Sequence, residues 1–278
     1  MAGKLFVVGT PIGNLGDMTS RAVQTLREVD FIAAEDTRVT QKLLNHFEIK
    51  KHTISYHQHS QSAVSEQITG RILAGESCAV VTDAGMPCIS DPGEDLVRLC
   101  AESGVEIVVV PGPSAVVSAL AVSGLLTSRF AFEGFLSTNR KNRLEHLESI
   151  RNDRHTLIFY EAPHKLISTL QDMQSILGER KISLARELTK LHEEVIRTTF
   201  SGALELYREK SPRGEYVLVI EGAPEPAPTV LTFEDAAEMV CGMVQDGESI
   251  TNAAKQVAKE TGYKKGDLYK AALDKAKK

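Results

Sequence analysis

The sequence predicts an α/β protein with two tandem α/β domains and a small C-terminal helical domain. The first domain should hold an open parallel five-stranded sheet, because short β-rich runs alternate with helical patterns there. The second should hold a mixed sheet, because its later strand candidates follow one another more directly. A chain of 278 residues is long enough for two cores and an appendage.

The first domain is predicted to span residues 1–118. Its strand candidates are LFVVG, FIAAE, HTISY, CAVVTD and EIVVV, and a helical pattern follows each of them. Strands that alternate with helices of this length pair in parallel through right-handed crossovers. We therefore expect one parallel sheet with helices on both faces.

The second domain is predicted to span residues 119–222. Its strand candidates are FAFEGF, HTLIFYE, KISLARE, EVIRTTF and EYVLVIEG. Helical patterns are assigned only between the first three, so the last strands are expected to form antiparallel hairpins. The sheet would then contain both parallel and antiparallel pairs.

A linker and a helical domain are predicted to complete the chain. Residues 223–229, APEPAPT, hold three prolines, which remove backbone donors and favour an extended spacer. In residues 230–278, Thr232 and Asp235 resemble a capping box that opens a helix ending near Gln245. Two further helices around Gly262 would give an arrangement like a helix-turn-helix.

Charge is distributed unevenly along the chain. The net charge is −5, yet the 24 residues from Lys255 onward hold eight lysines against three acidic residues, a net charge of +5. A polyanion should therefore favour the C-terminal helices. A structural cap on the main body and a nucleic-acid contact are both open interpretations of these helices.

Composition places the chain among ordinary globular proteins. The apolar fraction is 42% and the charged fraction 25%, and no apolar run is long enough to cross a bilayer. The N-terminal residues lead directly into the first strand, so we expect a cytoplasmic protein without membrane contact. The cysteines lack CxxC spacing and lie in or beside apolar runs, which indicates reduced structural thiols; they are Cys78, Cys88, Cys100 and Cys241.

Four polar or glycine- and proline-rich segments follow the predicted strands of the first domain. They are GTPIGNLGDMT at residues 9–19, EDTR at 35–38, DAGMPCISDPG at 83–93 and PGPSA at 111–115. In open α/β sheets, ligands bind beyond the carboxyl ends of the strands. The sequence therefore predicts a ligand site where these segments meet.

The ligand can be narrowed by chemistry. A P-loop needs a lysine and a hydroxyl directly after its last glycine, whereas Gly16 is followed by Asp17. The glycine spacing also differs from G-x-G-x-x-G, although Glu35 or Asp36 could bind a ribose, which leaves a nicotinamide-binding oxidoreductase as an alternative. S-adenosylmethionine suits an acidic site of this kind, because it is cationic and carries no phosphate.

Several motifs give the chain a family resemblance. GTPIGNLGDMT, AEDTR, DAGMPCISDPG, PGPSA, FEGFL, FYEAPHK, LARELTK with HEE, GEYVLVIEG and KKGDLYKAAL occur in this order. In this the sequence resembles the small-subunit ribosomal RNA methyltransferases of the tetrapyrrole methylase superfamily. The resemblance spans essentially the whole chain, including the C-terminal helices.

This resemblance implies a two-domain methyltransferase, usually a homodimer, that binds S-adenosylmethionine in the cleft between its domains. The implied reaction is methylation of the ribose 2′-hydroxyl of a cytidine in the decoding region of small-subunit (16S) ribosomal RNA. The implied partner is this RNA, within the small subunit. Carried over motif by motif, the cofactor contacts fall at or near Pro11, Ile12, Asp83, Met86, Ser114, Ala115, Tyr160, Leu188 and Gly214.

A ribose hydroxyl is a weak nucleophile, so a general base or a cation that stabilises the alkoxide is expected. Among the charged residues we select Lys190 and Arg186 as stabilisers and Asp36 or Glu187 as the base. Each could instead form an ordinary surface ion pair. No metal is expected; His57 and His59 would share a face if their strand continued, but they have no partner at ligand spacing.

Two further alternatives stay open at this point. One is methylation of a tetrapyrrole or another small molecule by an enzyme of the same superfamily, although the basic C-terminal helices favour RNA. The other is a non-catalytic RNA-binding factor in ribosome assembly that keeps the cofactor fold.

Overall fold

The computed structural model describes residues 3–57, 61–225 and 231–275. The chain forms two compact units that divide between Ala223 and Pro224. The first unit contains two five-stranded sheets, and the second contains three helices. In the described ranges, no helix is long and apolar enough to cross a membrane.

The first sheet is parallel throughout, in the strand order β3-β2-β4-β1-β5. Its strands are β1 (Lys4–Val8), β2 (Phe31–Ala34), β3 (His52–Ser55), β4 (Cys78–Val81) and β5 (Glu106–Val110). The helices between them are α1 (Ser20–Glu28), α2 (Thr37–His46), α3 (Gln61–Leu73) and α4 (Glu94–Glu102). The predicted parallel sheet is confirmed.

The inner strands β2 and β4 of this sheet are buried on both faces. One core cluster joins Leu5 and Phe31 to α3 and α4, and the other joins Val8 and Ile32 to α1 and α2. All four residues of β4 are buried, as expected for a central strand covered on both sides. This rigid layer fixes the loops that follow β1, β2, β4 and β5 at one edge of the sheet.

The second sheet is mixed, as predicted, in the order β6-β7-β10-β8-β9. Its strands are β6 (Phe130–Phe135), β7 (Thr156–Glu161), β8 (Lys181–Arg186), β9 (Glu194–Thr199) and β10 (Tyr216–Ile220). Strands β6 and β7 pair in parallel. Strand β10 pairs antiparallel with both β7 and β8, and β9 pairs antiparallel with β8. Helices α6 (Arg140–Ser149) and α7 (Leu166–Leu177) cross between the early strands.

The expectation that no helix separates the last strands is wrong. Helix α8 (Phe200–Glu209) lies between β9 and β10. Phe200, Ala203 and Tyr207 are spaced to share one helix face and are buried, and the Thr199 hydroxyl accepts from the Gly202 N–H to cap the helix. The antiparallel hairpin is therefore β8–β9 alone, and β10 returns to lie between β7 and β8.

Helix α5 (Ala115–Ser123) follows β5 but packs on the second sheet. Its buried residues Val116, Ala119 and Leu120 contact Ile158 of β7 and Val217 of β10 in one cluster. The predicted boundary between residues 118 and 119 falls inside this helix. Helix α5 thus connects the edge of the first sheet at which its strands end to the body of the second.

The second unit has its own small core. Helices α9 (Phe233–Gln245), α10 (Ile250–Thr261) and α11 (Lys265–Lys275) enclose a cluster rich in alanine. The predicted capping box between Thr232 and Asp235 is present, and Gly262 ends α10 in a left-handed conformation. Residues 226–229 of the predicted linker lie outside the described part of the chain.

Candidate active site

The loops at the carboxyl ends of the strands of the first sheet pack on one another through glycine. Thr10 and Gly85 exchange two backbone hydrogen bonds of 2.9 and 3.1 Å, which tie the loop after β1 to the loop after β4. A Cβ atom on Gly9 would lie 2.7 Å from the backbone of Gly112 and from the Met86 sulfur. The glycine is required because three loops meet at this point.

Gly13 has a similar packing role. Its φ of +146° favours glycine, and a Cβ there would lie 2.5 Å from Cγ of Lys190, a residue of the second sheet's β8–β9 connection. The glycines of the first loop therefore bring segments of the chain together. This differs from the simplest interpretation of the motif, in which glycine clears space for a ligand.

A main cavity of about 440 Å³ lies between the two sheets. This volume falls within the range of small-molecule sites. Six of the residues proposed to contact a cofactor line it: Ile12, Met86, Ser114, Ala115, Tyr160 and Leu188. Of the other three, Pro11 is buried directly before Ile12, Asp83 precedes the lining residue Ala84, and Gly214 packs against the Glu187 side chain.

Three carboxylates gather beside this cavity, and we call Glu35, Asp83 and Asp91 the acidic cluster. The Thr82 hydroxyl donates to Glu35 Oε2 over 2.6 Å, and the Asp83 N–H donates to the same oxygen over 3.2 Å. Burial, followed by the charge of Glu35, raises the pKa of Asp83. Burial, followed by the charges of Glu35 and Asp83, raises the pKa of Asp91 to about 6. Repulsion among these groups would be relieved by a bound cation.

Asp91 lines the main cavity and was missed by the sequence prediction. It lies in the same DAGMPCISDPG segment as Asp83, and the density of acidic and turn residues there marks the segment, but not this residue, as functional. The sequence offers no means of deciding which of the two aspartates faces the cavity, because the loop between them is irregular.

Aromatic side chains form another wall of the main cavity. Tyr160 stacks edge-on with Phe132 and lies 5.3 Å, between ring centroids, from Phe135. Burial, followed by the charge of Asp91, raises the pKa of Tyr160 to about 12, so its hydroxyl stays neutral. This wall offers a large apolar surface to a flat ring.

Lys190 is the centre of a charged network in the second half of the unit. Its ammonium lies 3.0 Å from Glu187 Oε1 and 2.8 Å from Glu215 Oε2, and all three residues line the main cavity. Burial alone would lower the pKa of Lys190, but the bonds to Glu215 and Glu187 hold it above its ordinary value. The backbone N–H of Glu215, followed by Lys190, holds the pKa of Glu187 below its ordinary value.

The structure separates the other two proposed catalytic residues from the cavity lining. Arg186 donates to Glu194 over 3.1 Å across β8 and β9. Asp36 caps α2 and pairs with Arg38 over 2.6 Å, and these contacts lower its pKa to about 2. Of the proposed bases, only Glu187 lines the main cavity.

Backbone strain concentrates in the two loops that face this region. Four non-glycine residues have left-handed φ angles there: Cys88 at 71°, Ser90 at 66°, Glu187 at 52° and Thr189 at 67°. Such conformations persist where the surrounding structure requires them, and they cluster at functional sites.

A second, shallower depression of about 450 Å³, which is open to solvent and which we call the second cavity, adjoins the first and shares Ile12 with it. Pro111 and Pro113 of the loop after β5 line it, together with Asp17, Ser118 and Thr189. Its lining combines these polar side chains with the two proline rings.

No metal site emerges from the histidines. Strand β3 ends at Ser55, so the strand does not continue to His57, and His59 lies outside the described residues. Within the described ranges, no three His, Cys, Asp or Glu residues are grouped to hold a metal ion.

Comparison with known proteins places the chain among methyltransferases. Residues 4–203 match the family of Tetrapyrrole (Corrin/Porphyrin) Methylases. A ribosomal RNA small subunit methyltransferase I of Synechocystis sp. is 46% identical over 98% of both chains. The protein of that name from Escherichia coli O157:H7 is 41% identical and covers 98% of this chain and 95% of its own length. These relatives span the second unit as well as the first.

Solved structures share the fold at low sequence identity. The methyltransferase CobJ superimposes with a TM-score of 0.60 at 19% identity, covering 82% of this chain and 98% of its own. A uroporphyrin-III C-methyltransferase of Thermus thermophilus, solved with S-adenyl homocysteine, gives 0.54 at 17% identity, covering 78% of this chain and 97% of its own. The matched sequence family and the shared fold lead to one conclusion: the chain belongs to the tetrapyrrole (corrin/porphyrin) methylase family.

Proposed function

We propose that this protein transfers a methyl group from S-adenosylmethionine to the ribose 2′-hydroxyl of a cytidine in the decoding region of 16S ribosomal RNA, in the cytoplasm. The observation that carries the proposal is the similarity to ribosomal RNA small subunit methyltransferase I proteins over 98% of the chain. It includes the basic C-terminal helices, for which a small-molecule enzyme has no need.

The residues of the main cavity fit the cofactor. The acidic cluster supplies negative charge for a sulfonium and an ammonium, and the Tyr160 wall offers an apolar face to an adenine ring. The remainder of the cofactor would contact five further lining residues: Ile12, Met86, Ser114, Ala115 and Leu188. Pro11, Asp83 and Gly214 lie next to residues that line the main cavity and would support them. When bound, the cofactor supplies an electrophilic methyl group on a sulfonium.

The chain's contribution to the chemistry is positioning and charge. The chain would hold the ribose 2′-hydroxyl beside the methyl donor, and the hydroxyl proton would leave to a base or to solvent. Lys190 stays protonated and stabilises the developing alkoxide. Glu187, 3.0 Å from Lys190, is better placed than Asp36 to accept the proton, and Arg186 adds positive charge behind the network.

RNA contact is assigned to the second unit. Exposed lysines on α10, on α11 and between them give it a basic surface: Lys255, Lys259, Lys264, Lys265 and Lys270. Deleting residues 230–278 should weaken RNA binding by about 10-fold or more at low salt and flatten its salt dependence. Cofactor affinity should stay unchanged in calorimetry, and RNA affinity that survives the deletion would restrict these helices to a structural role.

Self-association is assigned to the outer face of α5. Val117 and Val122 on this helix are 56% and 42% exposed, and Leu126 beyond it is 77% exposed. A homodimer would cover this surface. Replacing Val117 with Glu should yield a monomer in analytical ultracentrifugation, whereas an unchanged mass would place the interface elsewhere.

The function is tested by methyl transfer to immature small subunits, to free 16S RNA and to free tetrapyrroles, using a labelled methyl donor. Label on RNA at a cytidine 2′-oxygen, located by mapping the modified nucleotide, is the expected result. Label on a tetrapyrrole would support a small-molecule enzyme, and cofactor binding without transfer would support an assembly factor.

A further inference from the structure

The second cavity is not needed for the cofactor contacts proposed above. Apart from Ile12, its lining differs from the residues of the main cavity. It adjoins the main cavity at Ile12, and consecutive residues line the two cavities at Pro113 and Ser114 and at Leu188 and Thr189. A molecule held in the second cavity would therefore lie next to one held in the main cavity, as a transfer between two substrates requires.

Thr189 is the unusual residue of this cavity. A β-branched side chain rarely adopts its φ of 67°, and the backbone is held there by a 2.6 Å hydrogen bond from the Thr189 N–H to Glu193 Oε2. Its hydroxyl oxygen is buried and has no hydrogen-bond partner among the described residues. A buried hydroxyl without a partner is costly, and such a conformation in a cavity wall is typical of functional sites, although the hydroxyl itself is enclosed and does not face the cavity.

The remaining lining suits a nucleobase better than a phosphate. Pro111 and Pro113 offer flat apolar surfaces, and Ile12 adds a third. Asp17 would repel a phosphate, but a carboxylate accepts a hydrogen bond from an exocyclic amino group, as it does from N4 of cytosine. Ser118 adds a further hydroxyl.

We propose that the second cavity is the subsite for the acceptor base, in which Asp17 accepts a hydrogen bond from an exocyclic amino group and Pro111 and Pro113 pack against the face of the base. This inference rests on the proposed function. It adds a source of base specificity. Cytosine is preferred to uracil, because uracil has a carbonyl where cytosine has the amino group.

The test uses the full-length protein and small subunits assembled on 16S transcripts that carry cytidine or uridine at the mapped position. Wild type should prefer cytidine in kcat/KM by about 10- to 100-fold, as is typical of one well-formed base contact. Asp17→Ala should reduce this preference to about 2-fold, with the cofactor Kd unchanged. Glu102→Ala, an exposed acidic residue of α4, is the matched control and should keep the preference.

Two results overturn the inference. If Asp17→Ala keeps the preference for cytidine, the base is read elsewhere. If the wild-type protein methylates no RNA, or methylates a base nitrogen, the proposed function itself is wrong. This outcome is distinguishable from failure of the inference, because it is measured on the wild-type protein alone.

Discussion

The two sides of the main cavity are built in different ways. On the first sheet's side, loops contact one another through backbone atoms: Gly9 packs on Gly112, and Thr10 pairs with Gly85. On the second sheet's side, side chains make the structure, with Lys190 holding two glutamates. Substitutions that add atoms should therefore be most damaging on the first side, and substitutions that remove a charge should be most damaging on the second.

The largest effect is expected on the second side. Lys190→Met should lower kcat by about 100- to 1,000-fold, the usual cost of removing a group that stabilises a developing oxyanion. The cofactor Kd should change much less, which separates chemistry from binding. Lys181→Met, at the far end of β8 in an exposed pair with Glu221, is the control and should keep full kcat. A full-rate Lys190 variant would remove this residue from the mechanism.

The first side is tested with one methyl group. Gly9→Ala should destabilise the protein by about 1–3 kcal/mol, because the new Cβ meets backbone atoms that cannot move independently. Gly70→Ala in α3 meets nothing within 4 Å and should stabilise the helix by about 0.5–1 kcal/mol. Urea unfolding measures both changes. Equal stability of the two variants would show that the loops are not fixed by backbone contact.

The acidic cluster belongs to the first side but depends on charge. Asp91→Asn should weaken cofactor binding about 5- to 10-fold at pH 7.5, measured by calorimetry, and wild-type affinity should fall as pH drops through about 6. The variant should lose most of that pH dependence. An unchanged Kd in the variant would mean that the carboxylate does not face the cofactor.

The same variant should make the free protein more stable. The raised pKa of Asp91 means that ionisation destabilises the folded state, a cost absent at acidic pH and fully present above about pH 6. Allowing for solvent screening, the gain from Asp91→Asn should be about 1 kcal/mol at pH 7.5 and close to zero near pH 4. Thermal unfolding without cofactor at the two pH values measures it.

The smallest effect is expected at Asp83, which lies outside the cavity lining. Asp83→Ala should weaken cofactor binding by only about 2- to 5-fold, because solvent around the exposed Asp83 side chain screens its negative charge. A loss larger than that of Asp91→Asn in the same calorimetric assay would reverse the order of the two aspartates.

Much of the fold followed from local patterns. The alternation of apolar runs and helical segments predicted the first sheet, and the Thr232 capping box predicted the start of α9. Helix α8 was missed because its buried residues Phe200, Ala203 and Tyr207 are few and its sequence joins β9 without a break. Whether a short segment with weak apolar periodicity forms a helix depends on the residues against which it packs. The sequence alone does not show which residues these are.

The proposed site was predictable to the level of loops. The motifs placed Ile12, Met86, Ser114, Ala115, Tyr160 and Leu188 in one region, and the structure brings them to one cavity. Their assignment as cofactor contacts stays a prediction. Asp91 and the second cavity could not be found in this way, because side-chain direction in an irregular loop depends on contacts between distant segments.

The sequence by itself determined the family, the parallel first sheet and the segments that supply the candidate site, since these depend on motifs and on local apolar periodicity. Only the tertiary structure decided that Gly9 serves loop packing, that Asp91 faces the main cavity and that the Thr189 hydroxyl is left without a partner among the described residues. The reason is physical: burial, pKa and hydrogen-bond satisfaction are set by residues that are far apart in the chain and close only in the fold.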